Sequence, residues 1–330
     1  LVWAAPAQRA FSDWQVTCNN QNFCVARNTG DHNGLVMTLS RSAGAHTDAV
    51  LRIERGGLKS PDASEGEIAP RMLLDGEPLA LSGDKWRISP WLLVTDDTAT
   101  LTAFLQMIQE GKAITLRDGN QTISLSGLKA ALLFIDAQQK RVGSETAWIK
   151  KGDEPPLSVP PAPALKEVAV VNPTPTPLSL EERNDLLDYG NWRMNGLRCS
   201  LDPLRREVNV TALTDDKALM MISCEAGAYN TIDLAWIVSR KKPLASRPVR
   251  LRLPFNNGQE TNELELMNAT FDEKSRELVT LAKGRGLSDC GIQARWRFDG
   301  QRFRLVRYAA EPTCDNWHGP DAWPTLWITR

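Results

Sequence analysis

The six cysteines constrain this chain more than any other feature, because they fall in three successive pairs: Cys18 with Cys24, Cys199 with Cys224, and Cys290 with Cys314. An even count without a C-x-x-C motif, in a chain with three histidines, points to disulfides made outside the reducing cytosol. Sequence alone leaves the connectivity open, but the spacing favours nearest neighbours. Cys18 and Cys24 flank the polar run Asn19, Asn20, Gln21 and Asn22, which suits a turn between neighbouring strands. Each remaining pair brackets about one hairpin, and a bridge closing such a loop contributes roughly 2–4 kcal/mol. A zinc site would need four ligands at motif spacing, and His32, His46 and His318 do not complete one.

The length of 330 residues exceeds one ordinary core, so two domains are expected. From Gly152 to Pro177 the chain carries Pro155, Pro156, Pro160, Pro161, Pro163, Pro173, Pro175 and Pro177, a composition that favours extended polyproline and excludes a sheet interior. Residues 153–178 therefore read as a linker between domains at 8–152 and 179–330. With 39 basic and 40 acidic side chains the charge is balanced, which argues against a dedicated nucleic-acid binder. The densest apolar run, Ala130 to Ile135, is too short to span a membrane, so no transmembrane segment is expected. Residues 1–7 resemble the end of a secretory signal, with Ala5 and Ala7 at the cleavage-site positions before Gln8.

The first domain opens with strand-like segments at 14–17, 23–27 and 35–40. Leu101, Phe104, Leu105 and Ile108 then recur at helical spacing, with Asp97 or Thr98 as cap and Gly111 as stop. A hairpin follows at 113–116 and 122–125, turning through Asp118, Gly119 and Asn120, and Ser126 is placed to cap a helix bearing Leu128, Ala131, Leu132 and Ile135. The second domain starts with a capping box, Ser179 with Glu182, before a short helix. Alternating segments from Val208 to Tyr308 then read as strands. The expected fold is an α+β amino-terminal domain followed by a mainly antiparallel β carboxy-terminal domain, sandwich or barrel-like.

The run Asp13-Trp14-Gln15-Val16-Thr17-Cys18 with Cys24, the stretch Ile123 to Gly143, the segment Gly284-Arg285-Gly286-Leu287-Ser288-Asp289-Cys290-Gly291, the Trp296 to Phe303 hairpin and Trp323-Pro324-Thr325-Leu326-Trp327 together resemble a bacterial exported family catalogued as domain of unknown function 1176. The first half is also distantly similar to invasion-associated locus B proteins, through the D-W-x-V-x-C opening and the S-x-x-G-x-x-x-A-L helix start. The resemblance implies a periplasmic or surface protein of a Gram-negative bacterium. It supplies no catalytic residues.

No G-x-S-x-G elbow, H-E-x-x-H, phosphate loop or G-x-G-x-x-G turn is present, so no catalytic residue, cofactor or metal is assigned. His32 and His46, in polar glycine-bearing segments, read as solvated loop histidines. His318 lies among Asp315, Asn316, Trp317, Asp321 and Trp323, where a His–carboxylate pair could be an acid–base or sugar-binding site. Packing of a tail through Trp317, Trp323 and Trp327 is the favoured explanation there. The adjacent carboxylates Asp96 and Asp97, Asp215 and Asp216, and Glu181 and Glu182 are accounted for by turns and caps.

The Asp299-Gly300 pair signals a two-residue hairpin turn, which would oppose Arg297 to Arg302, Trp296 to Phe303 and Arg295 to Arg304. One face is then aromatic and the other holds four arginines, which need acidic neighbours or an anion. An ion-pair ladder with Glu263 and Glu265 is favoured, and a patch of Arg295, Arg297, Arg302 and Arg304 for an anionic envelope molecule is the functional rival. The expected function is a disulfide-stabilised, non-enzymatic periplasmic binding protein whose partner is an envelope protein, an anionic envelope component or a host-facing molecule. The alternatives are an envelope hydrolase or carbohydrate-active enzyme around His318, and an inhibitor of an attacking hydrolase.

Overall fold

In the first strands, every second residue is apolar, and these residues share one core. The computed structural model describes residues 6–46, 48–61, 66–81 and 84–330. Strands β1 (Ala7–Phe11), β2 (Trp14–Cys18), β3 (Cys24–Asn28), β4 (Leu35–Arg41) and β5 (Ala49–Arg55) form an antiparallel meander. Trp14 and Val16, Cys24 and Ala26, Leu35, Met37 and Leu39, and Leu51 and Ile53 point into the same core, as strand periodicity requires. Next come β6 (Met72–Leu74), β7 (Glu77–Pro78), β8 (Arg87–Ser89) and β9 (Leu92–Thr95). The sheet runs in the order β1-β2-β3-β4-β5-β9-β8. Of the signal-like residues 1–7, those at 1–5 lie outside the described residues, and Ala7 already belongs to β1, opposite Cys18.

Helix α1 (Thr98–Ile108) buries Leu101, Phe104, Leu105 and Ile108, the four residues its spacing singled out. Asp97 is its cap and accepts the Thr100 N–H, satisfying one of the helix's unpaired first-turn donors. Strands β10 (Ala113–Leu116) and β11 (Thr122–Ser124) pair as expected, in a second sheet ordered β11-β10-β6-β7. Helix α2 (Leu128–Gln138) buries Leu128, Ala131, Leu132 and Ile135, but Ser126 is not its cap. Gly127 occupies that position with φ 98°, and a Cβ there would lie 1.8 Å from the Phe11 carbonyl oxygen. Close approach to β1 decides the residue at this helix start. The stretch Glu311–Ile328 belongs with this first compact unit, which otherwise ends at Leu165.

The second unit comprises Lys166–Ala310 with Thr329–Arg330. Its helix α3 (Leu180–Asn195) begins with the expected capping box and runs for 16 residues. Helix α3 packs Leu186 and Met194 against Val210, Met220 and Trp236, which lie on β12 (Val208–Ala212), β13 (Lys217–Ala226) and β14 (Thr231–Ser239). These strands continue into β15 (Ser246–Pro248), with short pairs at β16 (Leu251–Arg252) and β17 (Glu263–Leu264) and with β18 (Leu266–Met267) beside β14. A further antiparallel run contains β19 (Thr270–Asp272), β20 (Glu277–Lys283), β21 (Gly291–Phe298) and β22 (Phe303–Glu311). The chain is thus mostly antiparallel sheet, with three α-helices between Thr98 and Asn195 among the described residues. None of these helices is long and apolar enough to cross a membrane.

The proline-rich stretch 153–178 holds one turn of 3-10 helix, Pro156–Ser158, and no named strand. Its later part is anchored in the second unit: the Val168 carbonyl accepts from Arg297, and the carbonyls of Thr176 and Pro177 accept from Arg240. Disulfides join Cys18 to Cys24 and Cys199 to Cys224, Cys290 and Cys314 are also disulfide-bonded, and no cysteine is free.

Candidate functional site

The core-facing residues of β2 to β5 leave the alternate residues on the opposite face, and register lines up Gln15, Arg27, Thr38 and Arg52 across the four strands. Arg27 has a side chain only 6% exposed, and burying a guanidinium demands partners for its charge. The stretch Glu311–Ile328 supplies them. Nε and Nη2 donate to Glu311 Oε1 at 3.2 and 2.9 Å, and Nη1 and Nη2 donate to Asp315 at 2.6 and 3.0 Å. The second Nη1 hydrogen goes to the Asn28 carbonyl at 3.0 Å, so all five N–H donors are used.

The carboxylates are bonded in turn. Gln15 Nε2 donates to Glu311 Oε2 at 2.7 Å, Thr313 N–H donates to the same oxygen at 3.2 Å, and the Thr313 hydroxyl donates to Gln15 Oε1 at 2.7 Å. His32 Nε2 lies 3.1 Å from Asp315 Oδ2, while its Nδ1 accepts the Gly34 N–H at 3.0 Å. That second bond leaves the ring hydrogen on Nε2, pointing at the carboxylate. His32 is therefore no solvated loop histidine: it is 4% exposed, buried by a partner far along the chain. His46 is exposed, as its context suggested.

Two carboxylates around one guanidinium are driven apart in acidity. Burial pushes Glu311 up, against the opposing charge of Arg27. Burial acts on Asp315 in the same sense, but hydrogen bonds from His32 and Arg27 outweigh it and hold Asp315 below its ordinary value. Burial would lower Arg27, and the bond to Asp315 with the charge of Glu311 raises it instead.

Beside this closed network a cleft of about 540 Å³ opens on the same face, reached by Thr38, Arg52, Glu54, Glu311 and His318. His318 is lowered, first by burial, with Glu54 opposing and Arg27 and Arg52 adding to the shift. Its ring lies on Trp317 with centroids 4.3 Å apart, and its carbonyl accepts from Trp323 Nε1 at 3.0 Å. Trp317 and Trp323 are buried and Trp327 half-buried, so these tryptophans pack the tail as their spacing suggested. The adjacent carboxylates also have structural work: Asp97 and Glu182 cap helices, and Asp215 accepts the Thr176 N–H.

The arginine hairpin differs in its turn. Strand β21 ends at Phe298 and β22 starts at Phe303, so four residues rather than two join them; within this loop Asp299 Oδ1 accepts the N–H groups of Gln301 and Arg302, and the Asp299 N–H donates to the Arg302 carbonyl. Pairing moves by two positions, bringing Phe298 to within 5.5 Å of Phe303, and an even shift leaves each side chain on its expected face. Arg295 and Arg297 pair with Glu277 at 3.3 and 3.1 Å, and Arg304 pairs with Asp299 at 2.5 Å. Glu263 pairs instead with Arg250 and Arg252. The carboxylate ladder exists, but β20 rather than the Glu263 strand provides it, because Glu277 lies opposite Arg297 in register. Arg302 lies exposed at the turn.

Residues 8–330 match the model of a protein family of unknown function, DUF1176. The chain belongs to that family. It is similar to the uncharacterized protein YpfG of Escherichia coli (strain K12), 99% identical over 330 residues, which cover 100% of this chain and 95% of that protein. No solved structure matches the chain.

Proposed function

We propose that this DUF1176 protein is an exported, disulfide-stabilised binding protein of the bacterial envelope, and that the cleft beside Arg27 receives a small polar ligand. The observation that carries this reading is the closure of the Arg27 network: Glu311, Asp315 and His32, the groups best suited to acid–base chemistry, already hold one another in place. A general base has to reach a substrate proton, and these are committed to an ion pair and to a backbone N–H. The cleft falls within the usual volume range of small-molecule sites. Export is supported by the cysteines, all of them oxidised.

The test is an NMR titration of the full chain with the low-molecular-weight fraction of a periplasmic extract, reading the indole signals of Trp317 and Trp323. Movement of those signals without turnover of the fraction is the expected result; signals that stay fixed throughout overturn the binding reading. The separation of Glu311 and Asp315 in acidity favours a hydrolase as second reading, since such a split is how one site supplies an acid and a base. Product release from the fraction, abolished in Glu311→Gln, would establish it.

A further inference from the structure

Deepening the binding reading, on which it rests, the chemistry of the cleft divides into side chains already used and side chains left over. Arg27 has no donor to offer, as all five are taken. Thr38, Arg52 and Glu54 line the same cleft, and no hydrogen bond from the described residues reaches their side chains. Arg52 and Glu54 stand two residues apart on β5 and therefore on one face, with Nη2 and Oε2 separated by 3.7 Å, beyond hydrogen-bonding distance. Their side chains are 43% and 23% exposed. The cleft thus presents one unsaturated cation and one unsaturated anion side by side.

Charge decides what such a pair accepts. A simple anion that approaches Arg52 meets Glu54, with Glu311 in the same lining; a simple cation at Glu54 meets Arg52 and Arg27. A ligand carrying both charges on neighbouring atoms meets an opposite charge at each end. We infer that the cleft binds a free α-amino acid as its zwitterion, the carboxylate on Arg52, the ammonium on Glu54 and an apolar side chain against Phe23, Val25 and Pro324. The carboxylate and ammonium of an α-amino acid flank a single carbon, which suits two partners held 3.7 Å apart. The three apolar residues line the same hollow, and the ring of His318 walls it.

Calorimetric titration of the full chain with L-phenylalanine tests this, against phenethylamine and 3-phenylpropionate, each of which lacks one of the charges, and against a neutral disaccharide. L-Phenylalanine should bind, each half-charged analogue should bind at least about tenfold more weakly, and Arg52→Ala or Glu54→Gln should each cost about the same factor. Both substitutions fall on partly exposed residues, and unchanged circular dichroism confirms that the variants fold. Analogues that bind as well as the amino acid, or variants that bind it as well as the parent, overturn the inference. So does a disaccharide that binds and moves the Trp317 and Trp323 indole signals while phenylalanine does not; that outcome leaves the binding reading standing. If no probe binds and the extract titration is also silent, both readings fall.

Discussion

Arg27 Nη2 lies 2.9 Å from Glu311 Oε1, joining a strand near the start of the sequence to a segment near its end inside one unit. Both side chains are nearly buried, and Asp315 completes a cluster with two carboxylates to one guanidinium. Removing the guanidinium leaves two buried carboxylates with neutral hydrogen-bond partners only, Gln15, Thr313 and His32, and no opposite charge between them. Arg27→Met should therefore cost about 3–5 kcal/mol, the range for breaking one side of a buried pair. Glu311→Gln should cost less, because Arg27 keeps Asp315. Urea denaturation monitored by tryptophan fluorescence orders the two variants; equal losses would contradict the charge argument.

Asp233 gives a pH dependence whose sign is fixed by its environment. Burial, and then the charge of Glu207, push its carboxyl up to about 6 from 3.8. The native state binds this proton more tightly than the unfolded chain, so the contribution is present below 3.8 and is lost as pH rises through about 6. Solvent screens a partly exposed carboxyl, so Asp233→Asn should raise stability at about pH 7.5 by only on the order of 1 kcal/mol and change little at about pH 3. Thermal melts at the two pH values check it, and a gain at the acidic value alone would reverse the assignment.

Gly190 lies inside α3, where alanine normally improves a helix by about 1 kcal/mol. Here a Cβ would stand 2.6 Å from Val208 Cγ1 and 3.1 Å from Met220 Sδ. Valine is stiff at χ1, so the strand has to move rather than the side chain. Overpacking of this kind costs about 1–3 kcal/mol, enough to exceed the propensity gain. Gly190→Ala should lower the urea midpoint; a higher midpoint would mean that α3 packs more loosely on β12 and β13.

What was legible in the sequence was set by neighbours in the sequence. The strand-like segment at 14–17, the helical spacing of Leu101 to Ile108 and the Ser179–Glu182 box each needed only a few adjacent residues, and each is present. The site was hidden because its parts lie far apart: His32 reads as a loop histidine until Asp315 reaches it, 283 positions later. Gly127 took the cap expected of Ser126 because of Phe11, a contact no local pattern encodes. The Asp299 turn departs from its expected form for a local reason. The D-G pair signals the turn, but the Asp299 side chain takes two backbone N–H groups and widens it.

Asp136 holds the opposite arrangement to Arg27, with one carboxylate facing two guanidinium groups. Its Oδ2 accepts the N–H groups of Trp148 and Ile149 at 2.8 and 2.7 Å, and its Oδ1 lies 3.6 Å from Arg41 Nη1. Arg41 lies 4.2 Å from the Trp148 ring centroid, and burial followed by repulsion from Arg141 pushes its guanidinium down to about 9. Arg141 itself fastens the 42–44 turn through the Ser42 and Gly44 carbonyls. Removing the lone anion leaves two buried cations facing each other, so Asp136→Asn should cost about 3–5 kcal/mol although it preserves shape. Arg41→Met leaves one carboxylate with one guanidinium and removes the repulsion, so its cost should be less than half as large. Denaturant titrations of the two variants decide: if Arg41→Met proves the more damaging, the contact with Trp148 and the bond to the Thr146 carbonyl, rather than charge balance, hold this corner of the core together.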